Sequence, residues 1–181
     1  MMTRILGLSG SLRQGSYNSA LLRAAKELYP ENITIGSIEG IPLYNGDLEA
    51  KGMPDEVLRL KEELANASGL LLFSPEYNNS VPGVLKNATD WLSRPSLDIR
   101  NVFDDKPIAL VGVSPGGFGT ILGQNAWLPV FRGLSARYWS GGRLMVSGAS
   151  SVFDKQGKLI DDAIRERLGQ FIKGFVTFCE L

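Results

Sequence analysis

The chain has 181 residues, 19 lysines and arginines against 19 acidic residues, no histidine and a single cysteine, Cys179. Balanced charge with no long block of either sign removes the electrostatic basis for binding nucleic acid or a membrane surface, so the expected partner is a small molecule. The lack of histidine excludes Ser-His-Asp hydrolysis, His-paired cysteine catalysis and the common zinc sites.

The length suits one domain over residues 1–181, long enough to bury roughly 70% of the surface of the unfolded chain. An unpaired cysteine, with no secretory leader and no 18-residue apolar run, points to a reducing, cytoplasmic setting.

The first apolar run, residues 4–9, reads as an inner strand. Gly10-Ser11-Leu12-Arg13-Gln14-Gly15-Ser16-Tyr17-Asn18 follows it, and a helical pattern begins at Ser19-Ala20-Leu21-Leu22. Strand, small-residue loop and helix N-terminus together form an anion site, because free N–H groups and the helix dipole face the bound charge. The loop has two glycines of a Walker A motif, but Ser16-Tyr17 stands where Lys-Ser/Thr is required, which disfavours a triphosphate. The dinucleotide fingerprint G-x-G-x-x-G is absent as well. A terminal phosphate monoester met by Arg13 and neutral donors fits best. The bland alternative is a surface loop in which Ser16 or Asn18 simply caps a helix.

Further apolar runs at residues 33–38, 69–74, 107–113 and 142–147 read as four more strands. Between the second and third, Val57, Leu60 and Leu64 recur on one face of an amphipathic helix over residues 55–64, with Pro54 in its first turn. The final helix, residues 161–178, repeats Ile164, Leu168, Phe171, Ile172 and Phe175 at spacings of three and four. Continuous apolar strands alternating with helices demand a parallel sheet covered on both faces. The expected fold is a three-layer α/β sandwich whose five-stranded parallel sheet has the flavodoxin-like order 2-1-3-4-5. In that order ligands bind beyond the C-terminal strand ends, between strands one and three, where the loops starting at Gly10, Pro75 and Ser114 converge.

The loop after strand three, PEYNNSVPGVLKNATDW, is stiffened by two prolines and a glycine and suits a planar heterocycle that needs immobile in-plane donors. Trp91 within it is expected to pack rather than touch a ligand. The loop after strand four contains Gly112, Ser114 and Gly116 at nucleophile-elbow spacing. That reading fails, because no histidine exists to act as base and Pro115 lacks the N–H of the oxyanion hole. A glycine loop admitting the edge of a flat ring fits better.

GSLRQGSYN, PEYNNSVPGVLKNATDW and SPGGFG, in this order and spacing, resemble the NADPH-dependent FMN reductase family of flavodoxin-like oxidoreductases, which includes bacterial quinone and chromate reductases. The resemblance covers nearly the whole chain, including the turn over residues 152–159 that precedes the last helix. Carried over by position, it implies that Ser11, Arg13, Ser16, Asn18 and Ser19 hold an FMN phosphate. It further implies that Pro75, Glu76, Tyr77 and Asn78 line the isoalloxazine, and that Ser114, Gly116 and Gly117 border the ring from the other side. Leu122 stands where family members often carry arginine.

The implied activity is hydride transfer from NADPH or NADH through FMN to quinones, azo compounds, chromate or free flavin, with no catalytic side chain and no metal. The cofactor does the redox chemistry while the protein orients it. The alternative is a flavodoxin-type electron carrier that binds FMN without its own NAD(P)H reductase activity. The family further implies a homodimer or homotetramer, for which the three tryptophans and Phe118 are the expected contact residues.

Overall fold

The computed structural model describes residues 2–181. In chain order the elements are β1 (Ile5–Ser9), α1 (Tyr17–Leu28), β2 (Ile33–Ile35), α2 (Gly46–Glu49), α3 (Asp55–Ala65), β3 (Gly69–Phe73), α4 (Gly83–Leu92), α5 (Ile99–Val102), β4 (Pro107–Val113), α6 (Ile121–Gly133), β5 (Arg137–Tyr138), β6 (Leu144–Val146), α7 (Ala149–Val152) and α8 (Asp162–Cys179). A short 3-10 turn over Ser96–Asp98 precedes α5.

Every strand pairing is parallel, and the sheet runs β2-β1-β3-β4-β5, with β6 also paired to β4. This is the expected order with one difference. The fifth position is filled by two short strands: β5 lies beside Pro107 and Ile108, and β6 lies beside Val111 to Val113. The chain bulges out between them because the Trp139 indole folds back over Gly141 and Gly142. A Cβ at those glycines would come within 2.5 and 2.8 Å of the ring. The indole then packs edge-on against Phe171, with centroids 4.7 Å apart.

The pleat explains why the strands read as unbroken apolar runs. Ile5, Leu71, Phe73, Ala109, Val111 and Val113 face one core with α1, α7 and α8, while Leu6, Leu8, Leu70, Leu72, Ile108 and Leu110 face a second core with α3, α4, α5 and α6. Each large side chain so buried contributes roughly 1.5–3 kcal/mol of transfer free energy.

The amphipathic helices dock as their periodicity dictates: Val57, Leu60 and Leu64 of α3 and Leu168, Phe171, Ile172 and Phe175 of α8 are buried. Pro54 occupies the N-cap of α3 rather than its first turn. The 152–159 turn is closed by a Phe153–Leu159 bridge, with Asp154 Oδ1 accepting from the N–H groups of Gln156 and Lys158.

The tryptophans differ from expectation. Trp91 and Trp127 are fully buried and Trp139 is packed on α8, so all three serve the interior. Trp91 donates its indole N–H to the Pro42 carbonyl at 2.8 Å, and Asn87 Nδ2 donates to the same oxygen at 2.8 Å. These two bonds fasten the segment after β2 across α4. Phe118 alone of the expected contact residues is exposed.

Candidate functional site

The loops after β1, β3 and β4 meet at the C-terminal edge of the sheet and enclose a cavity of about 180 Å3. Its walls come from Ser11, Arg13, Ser16 and Asn18 on the first loop, Pro75, Glu76 and Tyr77 on the second, and Ser114 on the third. Tyr17, Val113 and Pro115 complete the lining. Tyr17 is an addition to the sequence reading, since nothing in its local pattern separates it from an ordinary first-turn residue.

The first loop closes tightly because Gly10 has no side chain. A Cβ there would lie 2.9 Å from Pro75 Cδ and 3.0 Å from Pro82 Cγ, so the glycine lets the first loop lie against the second. Ser16 is the N-cap of α1: its hydroxyl accepts from the Ser19 N–H at 3.3 Å, as the capping alternative anticipated. The cap leaves donors for an anion, because the N–H groups of Tyr17 and Asn18 in the same first turn have no intrahelical acceptor.

The Arg13 guanidinium lies 5.8 Å from the centre of the Tyr17 ring and forms no ion pair among the described residues. The buried Asn18 side chain is otherwise engaged. Its Nδ2 donates to the Val113 carbonyl at 2.9 Å, and its Oδ1 accepts from the Val113 N–H at 3.1 Å. Ser19 pairs its hydroxyl with that of Ser9 at 2.8 Å and faces an adjoining cavity of about 460 Å3, which shares Ser11 and Arg13 with the first.

The second loop owes its stiffness to a two-residue turn. Asn78 and Asn79 both have positive φ, 49° and 62°, and Tyr77 and Ser80 exchange two main-chain hydrogen bonds of 3.1 and 3.0 Å across them. This is the geometry of a type I′ hairpin, in which asparagine tolerates the left-handed region better than most residues. The turn leaves Asn78 outside the lining of the cavity and Tyr77 half exposed, its hydroxyl 3.5 Å from that of Ser11.

Glu76 is the one carboxylate in the lining, and its Oε2 accepts from the Gly123 N–H of α6 at 2.8 Å. Behind the loop, the Trp127 indole donates to the Ser74 hydroxyl at 2.9 Å. In the third loop, Ser114 and Gly116 are tied to α7 through their carbonyls, which accept from Ala149 and Gly148 at 3.2 and 3.3 Å. Gly116 and Gly117 do not line the cavity itself, but a Cβ at Gly117 would meet nothing within 4 Å, so the rim there is open.

A flavin mononucleotide matches this donor set. One end carries a free guanidinium, hydroxyls and a helix N-terminus for a phosphate. The other is bounded by a rigid turn and an open glycine rim, which suits one edge and one face of a flat ring.

Comparison with known proteins points the same way. The family model for NADPH-dependent FMN reductase matches residues 3–151. An NAD(P)H-dependent FMN reductase of Pseudomonas aeruginosa is 45% identical over 169 residues, covering 92% of this chain and 90% of that protein. A quinone reductase of Pseudomonas putida is 37% identical over 174 residues, covering 95% and 92%. Among solved structures, FerB, a flavoenzyme NAD(P)H:(acceptor) oxidoreductase of Paracoccus denitrificans, superposes with a TM-score of 0.88 at 30% identity, covering 99% of this chain and 98% of that one.

Proposed function

The chain belongs to the NADPH-dependent FMN reductase family, and from that premise we propose that it oxidises NAD(P)H and reduces quinones at an FMN held in the three-loop cavity. When bound, FMN supplies two-electron redox chemistry between a nicotinamide donor and an oxidised acceptor. The net reaction transfers a hydride from NAD(P)H and a proton from solvent to the quinone, giving NAD(P)+ and the hydroquinone.

The residues divide the work of holding the cofactor. Arg13, the Ser11 hydroxyl and the first-turn N–H groups of α1 bind the phosphate, each charge-assisted bond contributing roughly 1.5–3 kcal/mol. Pro75, Glu76 and Tyr77 form a wall, with Asn78 in the turn beside it, that keeps its shape because the 77–80 turn is closed by paired main-chain bonds. Ser114, Gly116 and Gly117 border the opposite edge and leave room for donor and acceptor in turn. Ser16 and Ser19 support the helix N-terminus from within. No side chain is asked to move a proton, which agrees with a chain that lacks histidine.

Small-molecule acceptors follow from this reading: quinones first, then azo compounds, chromate or free flavin. Among the described residues no helix is long and apolar enough to cross a membrane. The reading takes residues 1–181 as one domain in the cytoplasm, assembled as a homodimer or homotetramer, with exposed Phe118, Ile121 and Leu122 available for contact beside the site.

The observation that carries the proposal is the convergence of three loops, each with suitable chemistry, on one cavity. Absorbance after adding FMN and desalting tests it. A retained flavin band that bleaches with anaerobic NADPH and returns with a quinone is the expected result. A retained band that NADPH does not bleach would identify an electron carrier instead, and no retained flavin would remove the ligand.

A further inference from the structure

Two main-chain groups at the end of β4 have lost their natural partners. The register of β3 against β4 sets Phe73 opposite Val111, so a continued β3 would bring Pro75 opposite Val113. In that parallel register the Val113 N–H would bond to the Ser74 carbonyl and the Val113 carbonyl would accept from the Glu76 N–H, but the chain leaves the sheet at Pro75 to form the second loop and neither bond is made. The N–H and C=O of Val113 are deeply buried beside the cavity, where unpaired main-chain groups are costly.

The Asn18 carboxamide takes both places. It donates at 2.9 Å in place of the Glu76 N–H and accepts at 3.1 Å in place of the Ser74 carbonyl. Asn18 is only 4% exposed and belongs to the first turn of α1, 95 positions away in the chain. Its main-chain N–H is one of the two first-turn donors at the phosphate end of the cavity.

We infer that Asn18 is a positioning residue whose side chain replaces the bonds a continued β3 would make to Val113, locking the phosphate loop to the end of β4 so that the phosphate and ring walls hold their spacing as one unit. The inference rests on the FMN reading above and changes the role of Asn18 within it. The side chain is spent on Val113, so Asn18 reaches the phosphate through its main-chain N–H alone. Both walls depend on the same clamp: residues 11–18 precede it through α1, and residues 114–117 follow directly from Val113.

Riboflavin, which has the ring and lacks the phosphate, separates this role from that of a phosphate ligand. In Asn18→Ala the dissociation constants for FMN and riboflavin should both rise by about tenfold or more, with their ratio held within about threefold. Loss confined to FMN would make the Asn18 side chain a direct phosphate ligand and overturn the clamp. Leu168→Ala, a buried change in α8 outside the cavity, supplies a matched fall in melting temperature. If it weakens both flavins as much as Asn18→Ala does, the effect is general destabilisation and the clamp is again overturned.

A measurement on the unaltered protein covers a variant that fails to fold. Inorganic phosphate at saturation should slow amide hydrogen exchange at Val113, and indifference of that amide to phosphate would refute the coupling. Wild-type protein that retains no FMN would sink the proposed function. Wild-type protein that retains FMN, with Asn18→Ala binding both flavins equally well, would sink the clamp alone.

Discussion

Glu76→Ala tests whether the wall of the cavity and helix α6 are fastened together. The N-cap of α6, Thr120, makes no side-chain cap bond, and its hydroxyl accepts from Gln124 Nε2 at 3.0 Å instead. The missing cap comes from another loop: Glu76 Oε2 accepts from Gly123 N–H at 2.8 Å. The two segments are close enough that a Cβ at Gly123 would lie 3.2 Å from both Glu76 Cβ and the Ser80 carbonyl.

Loss of a cap costs about 1 kcal/mol within a range of roughly 0.5–2. Part of that, about 0.3–1 kcal/mol, is the interaction of a carboxylate with the helix N-terminus. For a domain of this size each kcal/mol corresponds to about 2–4 °C. Flavin-free Glu76→Ala should therefore melt a few degrees lower, with its urea midpoint shifted at unchanged m-value. Glu76→Gln keeps an acceptor for Gly123 and loses only the charge, so it should fall between the two. A melting temperature equal to wild type for Glu76→Ala, or a Gln variant as weak as the Ala variant, would refute the cap.

Arg13→Ala should weaken FMN by roughly 1.5–3 kcal/mol, read by fluorescence titration, and leave riboflavin binding nearly unchanged, since the guanidinium is free to meet a phosphate. Gly112→Ala should destabilise by about 1–3 kcal/mol or more in urea, because a Cβ there would fall 2.4 Å from the Ser74 carbonyl and 2.3 Å from Thr120 Oγ1, both held in the interior. Burial pushes the Cys179 thiol up to about 12, so it should resist alkylation at pH 8 until denaturant is added. The same shift has a sign in stability. Above the ordinary thiol value of about 8.5 the unfolded chain loses its proton while the folded chain keeps it, so this group lowers stability as pH rises towards 12. Urea midpoints at pH 8 and pH 10 compared with those of Cys179→Ala isolate that slope.

The strand positions and the three converging loops were legible because each is written locally. Continuous apolar runs mark strands buried on both faces, and Gly10, Asn78-Asn79 and Pro75 mark places where a strand must stop or turn. Roles within the loops were less legible. Ser16 caps its helix as its residue type suggests, but Ser19 turns to Ser9, Asn78 lies outside the lining of the cavity, and Glu76 bonds to α6. Residue chemistry says what a side chain can bond, and the competition among nearby partners decides what it does bond.

By itself, the amino-acid sequence determined the alternation of strands and helices and the small-residue, donor-rich loop that follows the first strand. Those depend on periodicity, propensity and residue type over ten or twenty positions. Only the tertiary structure decided that the fifth strand divides around Trp139, that the tryptophans go inward, and that the loops are tied by Asn18 to Val113, Glu76 to Gly123 and Trp127 to Ser74. These ties join residues 95, 47 and 53 positions apart. Each satisfies a polar group near a strand end or a helix start, where local pairing runs out and the partner is whichever side chain the packed fold brings within reach.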